Sequence, residues 1–477
     1  MAITKNESVR VRFAPSPTGH LHIGSLRTAL FNLLYARHTG GSFLVRIEDT
    51  DLPRSKKEYV DSILQSLKWI SIEPDEPVVF QSDRSQKYND VIEHLVKNRH
   101  VYKCFCSQDD LKKRKEGLEA KGAYRGYDGR CRSVDQSQEG PYVIRFKVPN
   151  DIEKVVVSDL IRGEIAFDRE QIEDFVIARS DGSPTYNFVV TVDDADMKIS
   201  HVIRGEDLLS STPKQILLYK ACGYSVPKFA HIPLILSPKG GRLSKRDGAT
   251  SVSEYTKNGY LSDALVNYLA RLGWAHGDQE VFSMQELIEY FSIEGVVKNG
   301  AAFDIEKLNW LNGLYIRELS AKKILELIEK DVDSNFLSSC NKFDKETVLS
   351  LIELYKDRVK TLKDFVEIIC SFESLPQDYS TSGMQKWVNE GTEEIVEKMV
   401  IKLSEIDAFY KEEVSESLRD ISKEQGVKFA YVAQPTRLAL TGTVESPGVF
   451  DLLVTIGKEE SIFRLKTFLD FMRSKKQ

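Results

Sequence analysis

Cysteine and histidine are scarce in this chain of 477 residues, six and eight in all. Six cysteines in so long a chain do not make a disulfide framework. Three of them cluster at Cys104, Cys106 and Cys131. Cys222, Cys340 and Cys370 fall in helical patterns and read as core thiols. No apolar run approaches the ~20 residues that a membrane span needs. The opening residues MAITKNESVR hold no apolar segment of the kind a secretory signal requires, so none is expected. Charge of one sign is not in large excess either: the net charge is −6, so a polyanion would have to be met by local basic patches. No internal repeat or low-complexity tract stands out. These absences leave a soluble cytoplasmic protein as the expectation, long enough for roughly two to four domains.

Two of the eight histidines, His20 and His22, stand two positions apart in the most sharply punctuated stretch of the chain, 9–25 (VRVRFAPSPTGHLHIGS). Val9, Val11 and Phe13 alternate with Arg10 and Arg12, the period-two mark of a strand. Pro15, Pro17, Gly19 and Gly24 then punctuate a turn. A helix is predicted from Ser25, with Leu26, Leu30, Leu33 and Leu34 on its inner face. A helix N-terminus with close backbone approach is an anion site. Two imidazoles at that turn point to a phosphate ester that reacts there, and Gly24 lets a nucleotide come close to the backbone.

Further along, Gly40 and Gly41 close the helix. The run 43–47 (FLVRI) reads as a buried parallel strand ending in Glu48, Asp49 and Asp51. In open α/β sheets ligands bind beyond such strand ends. A helix is predicted over 56–69. The stretch 104–133 interrupts this pattern, and 142–148, 154–157 and 164–168 read as antiparallel strands, so 103–185 is taken as an inserted domain. The α/β pattern resumes with strands predicted at 188–192, 201–203 and 231–236 and a helix at 211–222. A basic, glycine-rich loop follows over 237–248, in which Lys245 could neutralise charge on a transferring phosphoryl group. Beyond Ser262 the chain is helical, and Val348, Leu351, Ile352, Tyr355, Val359, Leu362, Phe365 and Ile369 share a helical spacing with Asp344 as N-cap. Arg12, Glu48, Tyr186 and Arg204 fall on predicted strands or their ends, and two arginines with one carboxylate would match a substrate with two carboxylates and one amine. The tight pair Cys104 and Cys106, with Cys131 returning after a charged loop, suggests a structural zinc site.

Taken together these stretches resemble the glutamyl-tRNA synthetases, class I aminoacyl-tRNA synthetases of bacterial type. RFAPSPTGHLHIG is similar to that family's version of the HIGH signature, with His22, Ile23, Gly24 and Ser25 on its four positions. FLVRIEDTD, HVIRGED and RLSKRDG resemble its other catalytic stretches, the last standing where KMSKS-type loops do. The likeness continues through YLARLGW to ALTGTVESPGVFDLL near the C-terminus.

The resemblance implies an α/β, Rossmann-type nucleotide-binding catalytic domain (1–102 and 186–250) interrupted by an α+β acceptor-end-binding domain (103–185). A stem-contact domain (251–320) and an all-helical anticodon-binding domain (321–477) would follow. It implies that L-glutamate, ATP with Mg2+ and tRNA(Glu) are the partners, that no membrane is involved, and that the protein is a monomer. By position, Arg12, Ala14, Ser16, Glu48, Tyr186 and Arg204 would bind glutamate. His22, Gly24, Glu206, Leu236 and Lys245 would serve ATP, with His22 and Lys245 catalytic and His20 an auxiliary residue beside them. Some bacterial members carry a Cys-x-Cys…Cys-x-His zinc site; here Ser133 replaces the histidine, and Tyr127 is the candidate fourth ligand beside Cys104, Cys106 and Cys131. Arg358, Lys360 and Arg437 are candidates to face tRNA. The alternatives are a non-discriminating or paralogous form that charges glutamate onto tRNA(Gln), and a non-catalytic tRNA-binding derivative. Retention of His22, Glu48, Arg204 and Lys245 together speaks against the latter.

Overall fold

The computed structural model describes residues 8–51, 53–119, 126–241, 243, 251–376 and 378–475. The chain divides into two compact units, one of residues 1–254 and 265–305, the other of residues 255–264 and 306–477.

The first unit is built on parallel strands. Arg10–Phe13 pairs with Ser42–Ile47, and Ser42–Ile47 with Val79–Phe80, all parallel. Between the first two strands runs the helix Ile23–His38. It begins two residues before the predicted start because His22 serves as its N-cap. The helix ends as expected: Gly40 takes a positive φ of 65°, and a Cβ on Gly41 would lie 2.3 Å from the Val9 carbonyl oxygen. A second parallel pair, His201–Gly205 and Lys228–Ile232, packs beside the first, with the Ser200 N–H donating to the Arg10 carbonyl at 3.0 Å.

Three predictions in this unit are corrected. Residues 188–192 are not a strand but part of the helix Tyr186–Asp196. The run FVVTV is buried all round, so its apolar residues carry no helical period to read, and tertiary burial overrides the β propensity of valine. The predicted strand 231–236 is two strands, Lys228–Ile232 and Ile235–Leu236, parted at Pro233. The strands predicted within 103–185 separate into two sheets. Val143–Phe146 pairs antiparallel with Val101–Cys104 and Val176–Ala178. Lys154–Asp159 and Gly163–Asp168 instead form a hairpin laid alongside Lys228–Ile232, where Asp159 pairs with Phe229.

Among its described residues the second unit holds helices and no strand. Lys345–Tyr355, Leu362–Ser371, Thr392–Glu405, Lys411–Glu424, Ala430–Thr441 and Lys458–Ser474 bury Leu351, Phe365, Met399, Leu418, Leu438 and Phe468 in one core. Asp344 caps the first of these, accepting from the Thr347 N–H at 2.8 Å. The periodic stretch around 348–369 is two helices, because Thr361 starts the second with a capping box closed by Asp364. The three scattered cysteines do not share one fate: Cys340 is buried, Cys222 half-buried, and Cys370 exposed rather than a core thiol. No described helix is long and apolar enough to cross a membrane.

Candidate active site

The turn after the first strand and the ends of the parallel strands enclose a cavity of about 460 Å³. Arg12, Ala14, Ser16, His22, Gly24, Glu48, Tyr186 and Arg204, all singled out from the sequence, line it. The Glu48 N–H donates to the Pro15 carbonyl at 2.9 Å, which seats the carboxylate against the turn.

Charge in this cavity rests on a buried network. Arg12 donates through Nε and Nη2 to the two oxygens of Asp194, at 3.0 and 3.3 Å. Arg46, itself fully buried, reaches Asp194 at 2.6 Å and Glu48 at 3.2 Å. Burial favours a protonated Asp194, but the two guanidinium groups outweigh it and hold its carboxyl below the usual range. Glu48 is raised by burial, an effect that Arg46 and Arg12 oppose. Burial also pushes Tyr186 up to about 12, with Glu48 acting the same way, so its hydroxyl remains a donor. Asp193 completes the support, accepting from Gln81, Arg84 and Tyr88 at 2.7, 2.7 and 2.9 Å. This network was not foreseen from the sequence. Its signal was two adjacent acidic residues, Asp193 and Asp194, within an apolar stretch.

Arg204 is the second arginine. Its Nε donates to His231 Nε2 at 3.1 Å and its Nη2 to Thr212 Oγ1 at 2.9 Å. Its Nη1 is buried and has no hydrogen-bond partner among the described residues. A buried guanidinium nitrogen in that position is costly unless a ligand completes it.

On the other side of the cavity, His22 accepts the Gly24 N–H through Nδ1 at 3.1 Å. That bond requires a bare Nδ1, facing the helix N-terminus. Among the described residues a Cβ on Gly24 would meet only the His22 ring, at 3.4 Å. Arg27, unforeseen from the sequence, also lines the cavity and donates to the Leu272 carbonyl at 2.8 Å. Burial, partly offset by Glu206, pushes it down to about 10.

Three expected ATP residues are not brought to this cavity. Glu206 commits one oxygen to the Leu234 N–H at 2.7 Å and the other to Arg162. Leu236 is held in a short parallel pairing with Ala302. His20 is exposed, bonded to Ser62 Oγ at 3.0 Å and set edge-on to Tyr59. Tyr186 does line the cavity, but from a helix start rather than a strand end. Lys245 lies outside the described residues.

Away from the cavity, the sulfur atoms of Cys104, Cys106 and Cys131 lie within 4.8 Å of one another. Cys106 and Cys131 are 3.5 Å apart, and the Tyr127 hydroxyl is 3.4 Å from Cys104 Sγ. Thiolates on one tetrahedral zinc stand roughly 3.8 Å apart, so the donor set fits a zinc ion.

Residues 8–310 match the family of class I tRNA synthetases (E and Q), catalytic domain, and residues 321–469 match the anticodon binding domain family. Fold and site thus define a class I aminoacyl-tRNA synthetase. A glutamate–tRNA ligase of Thermodesulfovibrio yellowstonii is 44% identical over 97% of this chain and 99% of its own length. That of Trichlorobacter lovleyi is 42% identical, again over 97% of this chain and 99% of its own length. The crystal structure of a glutamate tRNA ligase from Elizabethkingia meningosepticum in complex with its amino acid superposes with a TM-score of 0.87 at 36% identity, covering 97% of this chain and 99% of that one. The chain belongs to the glutamate–tRNA ligase family.

Proposed function

We propose that this protein activates L-glutamate with ATP and transfers it to the 3′-terminal adenosine of tRNA(Glu), acting as a cytoplasmic monomer. The observation that carries the reading is the composition of one cavity. It pairs two buried arginines and a carboxylate with a helix N-terminus bearing His22. Arg204 Nη1 and Arg12 suit the substrate's carboxylates, and Glu48 suits its ammonium group. Guanidinium groups and a counter-charged carboxylate are the chemistry that an acidic amino acid needs.

In the first step a glutamate α-carboxylate oxygen attacks the α-phosphorus of magnesium-bound ATP. The bond to the β-phosphate oxygen breaks and pyrophosphate leaves. In the second step the ribose 2′-hydroxyl of the terminal adenosine attacks the acyl carbon. The acyl–oxygen bond to phosphate breaks, AMP leaves, and the hydroxyl proton passes to solvent or to the leaving phosphate. No enzyme nucleophile is needed. His22 and the helix N-terminus stabilise charge on the phosphates, Lys245 adds to this from its loop, and the buried network holds glutamate in line. Arg12, Ala14, Ser16, Glu48, Tyr186 and Arg204 form the glutamate subsite, and His22 and Gly24 the nucleotide side. Glu206 fixes the cavity wall by accepting the N–H of Leu234, which lines it.

Cys104, Cys106, Cys131 and Tyr127 would hold a structural zinc, which takes no part in either step. Residues 103–185 serve the acceptor end, 251–320 the stem and 321–477 the anticodon. Arg358 depresses the neighbouring Arg437 by like charge, after burial, and a pair of cations so placed suits RNA phosphates. Pyrophosphate exchange dependent on glutamate, measured with and without tRNA, tests the activity. Charging purified tRNA(Glu) and tRNA(Gln) side by side tests the tRNA choice; glutamate on both would replace tRNA(Glu) specificity with the non-discriminating form.

A further inference from the structure

Arg204 is held from behind by a residue that the reaction scheme does not use. His231, on Lys228–Ile232, is the register partner of Arg204 on the neighbouring parallel strand, and its side chain is fully buried. Arg204 Nε lies 3.1 Å from His231 Nε2. A guanidinium only donates, so Nε2 must be bare and the imidazole proton must sit on Nδ1. Nδ1 lies 2.6 Å from Asp159 Oδ2. Asp159 is itself fixed, its Oδ1 accepting the Ile161 and Arg162 N–H groups at 3.0 and 2.8 Å, its Oδ2 the His231 N–H at 3.1 Å. Thr212 takes Arg204 Nη2. With Nε and Nη2 both engaged, the guanidinium plane is set, and Nη1 is the nitrogen left for a ligand.

We propose that His231, its tautomer fixed by Asp159, is a positioning residue that turns Arg204 so that Nη1 meets a carboxylate of the substrate glutamate. The inference rests on the glutamate-activating function argued above. It ties amino-acid recognition to the hairpin Lys154–Asp159 and Gly163–Asp168, whose corner supplies Asp159.

Two amide substitutions in the full-length protein separate positioning from mere filling. The Gln oxygen in His231→Gln can stand near the place of Nε2 and accept from Arg204. The Asn amide in His231→Asn stands near Nδ1, keeps the bond to Asp159 and offers Arg204 nothing. Steady-state pyrophosphate exchange in the presence of tRNA should show the glutamate KM raised about tenfold or more in His231→Asn, with the ATP KM unchanged. His231→Gln should recover most of that loss. A purely structural role through Asp159 gives the reverse order, and an equal rise in the ATP KM would also overturn the proposal. Asp159→Asn is the second test and removes no buried ring. Its amide N–H facing Nδ1 drives the imidazole proton to Nε2, against Arg204 Nε, so the glutamate KM should again rise alone. An unchanged KM there refutes the inference. Wild-type protein without glutamate-dependent exchange would instead refute the functional reading beneath it.

Discussion

Asp194 receives the Arg12 guanidinium edge-on, Nε on one oxygen at 3.0 Å and Nη2 on the other at 3.3 Å, with only 1% and 4% of the two side chains exposed. Arg46 shares the same carboxylate. Removing one member of such a buried set leaves uncompensated charge, which costs about 3–5 kcal/mol. Asp194→Asn should therefore lower the free energy of urea unfolding of the first unit by that order. It should also raise the glutamate KM, because Arg12 loses the partner that orients it. An unfolding curve that overlays the wild type would show that the pair contributes no stability, and an unchanged glutamate KM that it does not orient Arg12.

Lys245 stands in the stretch RLSKRDG, outside the described residues. Its assigned work is confined to the transition state, where charge builds on the departing pyrophosphate. Lys245→Ala should slow adenylate formation by about 10²–10³-fold, the loss typical of one removed charge-stabilising group. Thermal unfolding should stay where it is. Single-turnover adenylate formation reads the first quantity and calorimetry the second. Unchanged turnover would remove Lys245 from the mechanism.

The cysteine cluster makes a claim about metal that does not pass through activity. Three sulfur atoms within 4.8 Å and a phenol oxygen 3.4 Å from one of them are spaced for one tetrahedral ion. Protein purified without chelator should carry close to one zinc per chain by mass spectrometry under native conditions. Cys106→Ser should lose most of it, and chelation should lower Tm, since binding free energy at a structural site is folding free energy. Metal-free protein with an unaltered Tm would leave the cluster as reduced thiols.

Legibility in the sequence followed the physics of each part. Arg12, Glu48 and Arg204 could be found because strands advertise themselves by period and strand ends collect ligands. The helix Tyr186–Asp196 could not, because burial on every side erases the period that distinguishes helix from strand. The supports of the site were harder still. Asp194 and Arg12 are 182 residues apart, and Asp159 and His231 are 72 apart. A side chain that acts through another leaves no local pattern, only the oddity of a polar residue inside an apolar run, as His231 is in FAHIPL. Glu206 shows the converse: its motif stood out, while its bonds to Arg162 and the Leu234 N–H could not be read from it.

His201 carries a pH dependence whose sign can be worked out. It begins the strand His201–Gly205, is 7% exposed, bonds Ser200 Oγ at 2.9 Å, and pairs in register with Lys228. Burial, and then Lys228, push its pKa down from 6.5 to about 4. Between those values the unfolded chain binds a proton there and the folded chain does not. Stability from this group is therefore whole above the unfolded value of 6.5, starts to fall below it, and is lost by the time pH reaches about 4. The full shift corresponds to roughly 3 kcal/mol. His201→Gln removes the titration, so wild type and variant should converge or cross as pH falls, their difference in unfolding free energy changing by that order. Urea denaturation at about pH 7.5 and about pH 4 measures the difference directly, since the other titrating groups are common to both proteins and cancel. Parallel behaviour of the two proteins across that range would mean that His201 titrates alike in the folded and unfolded chain.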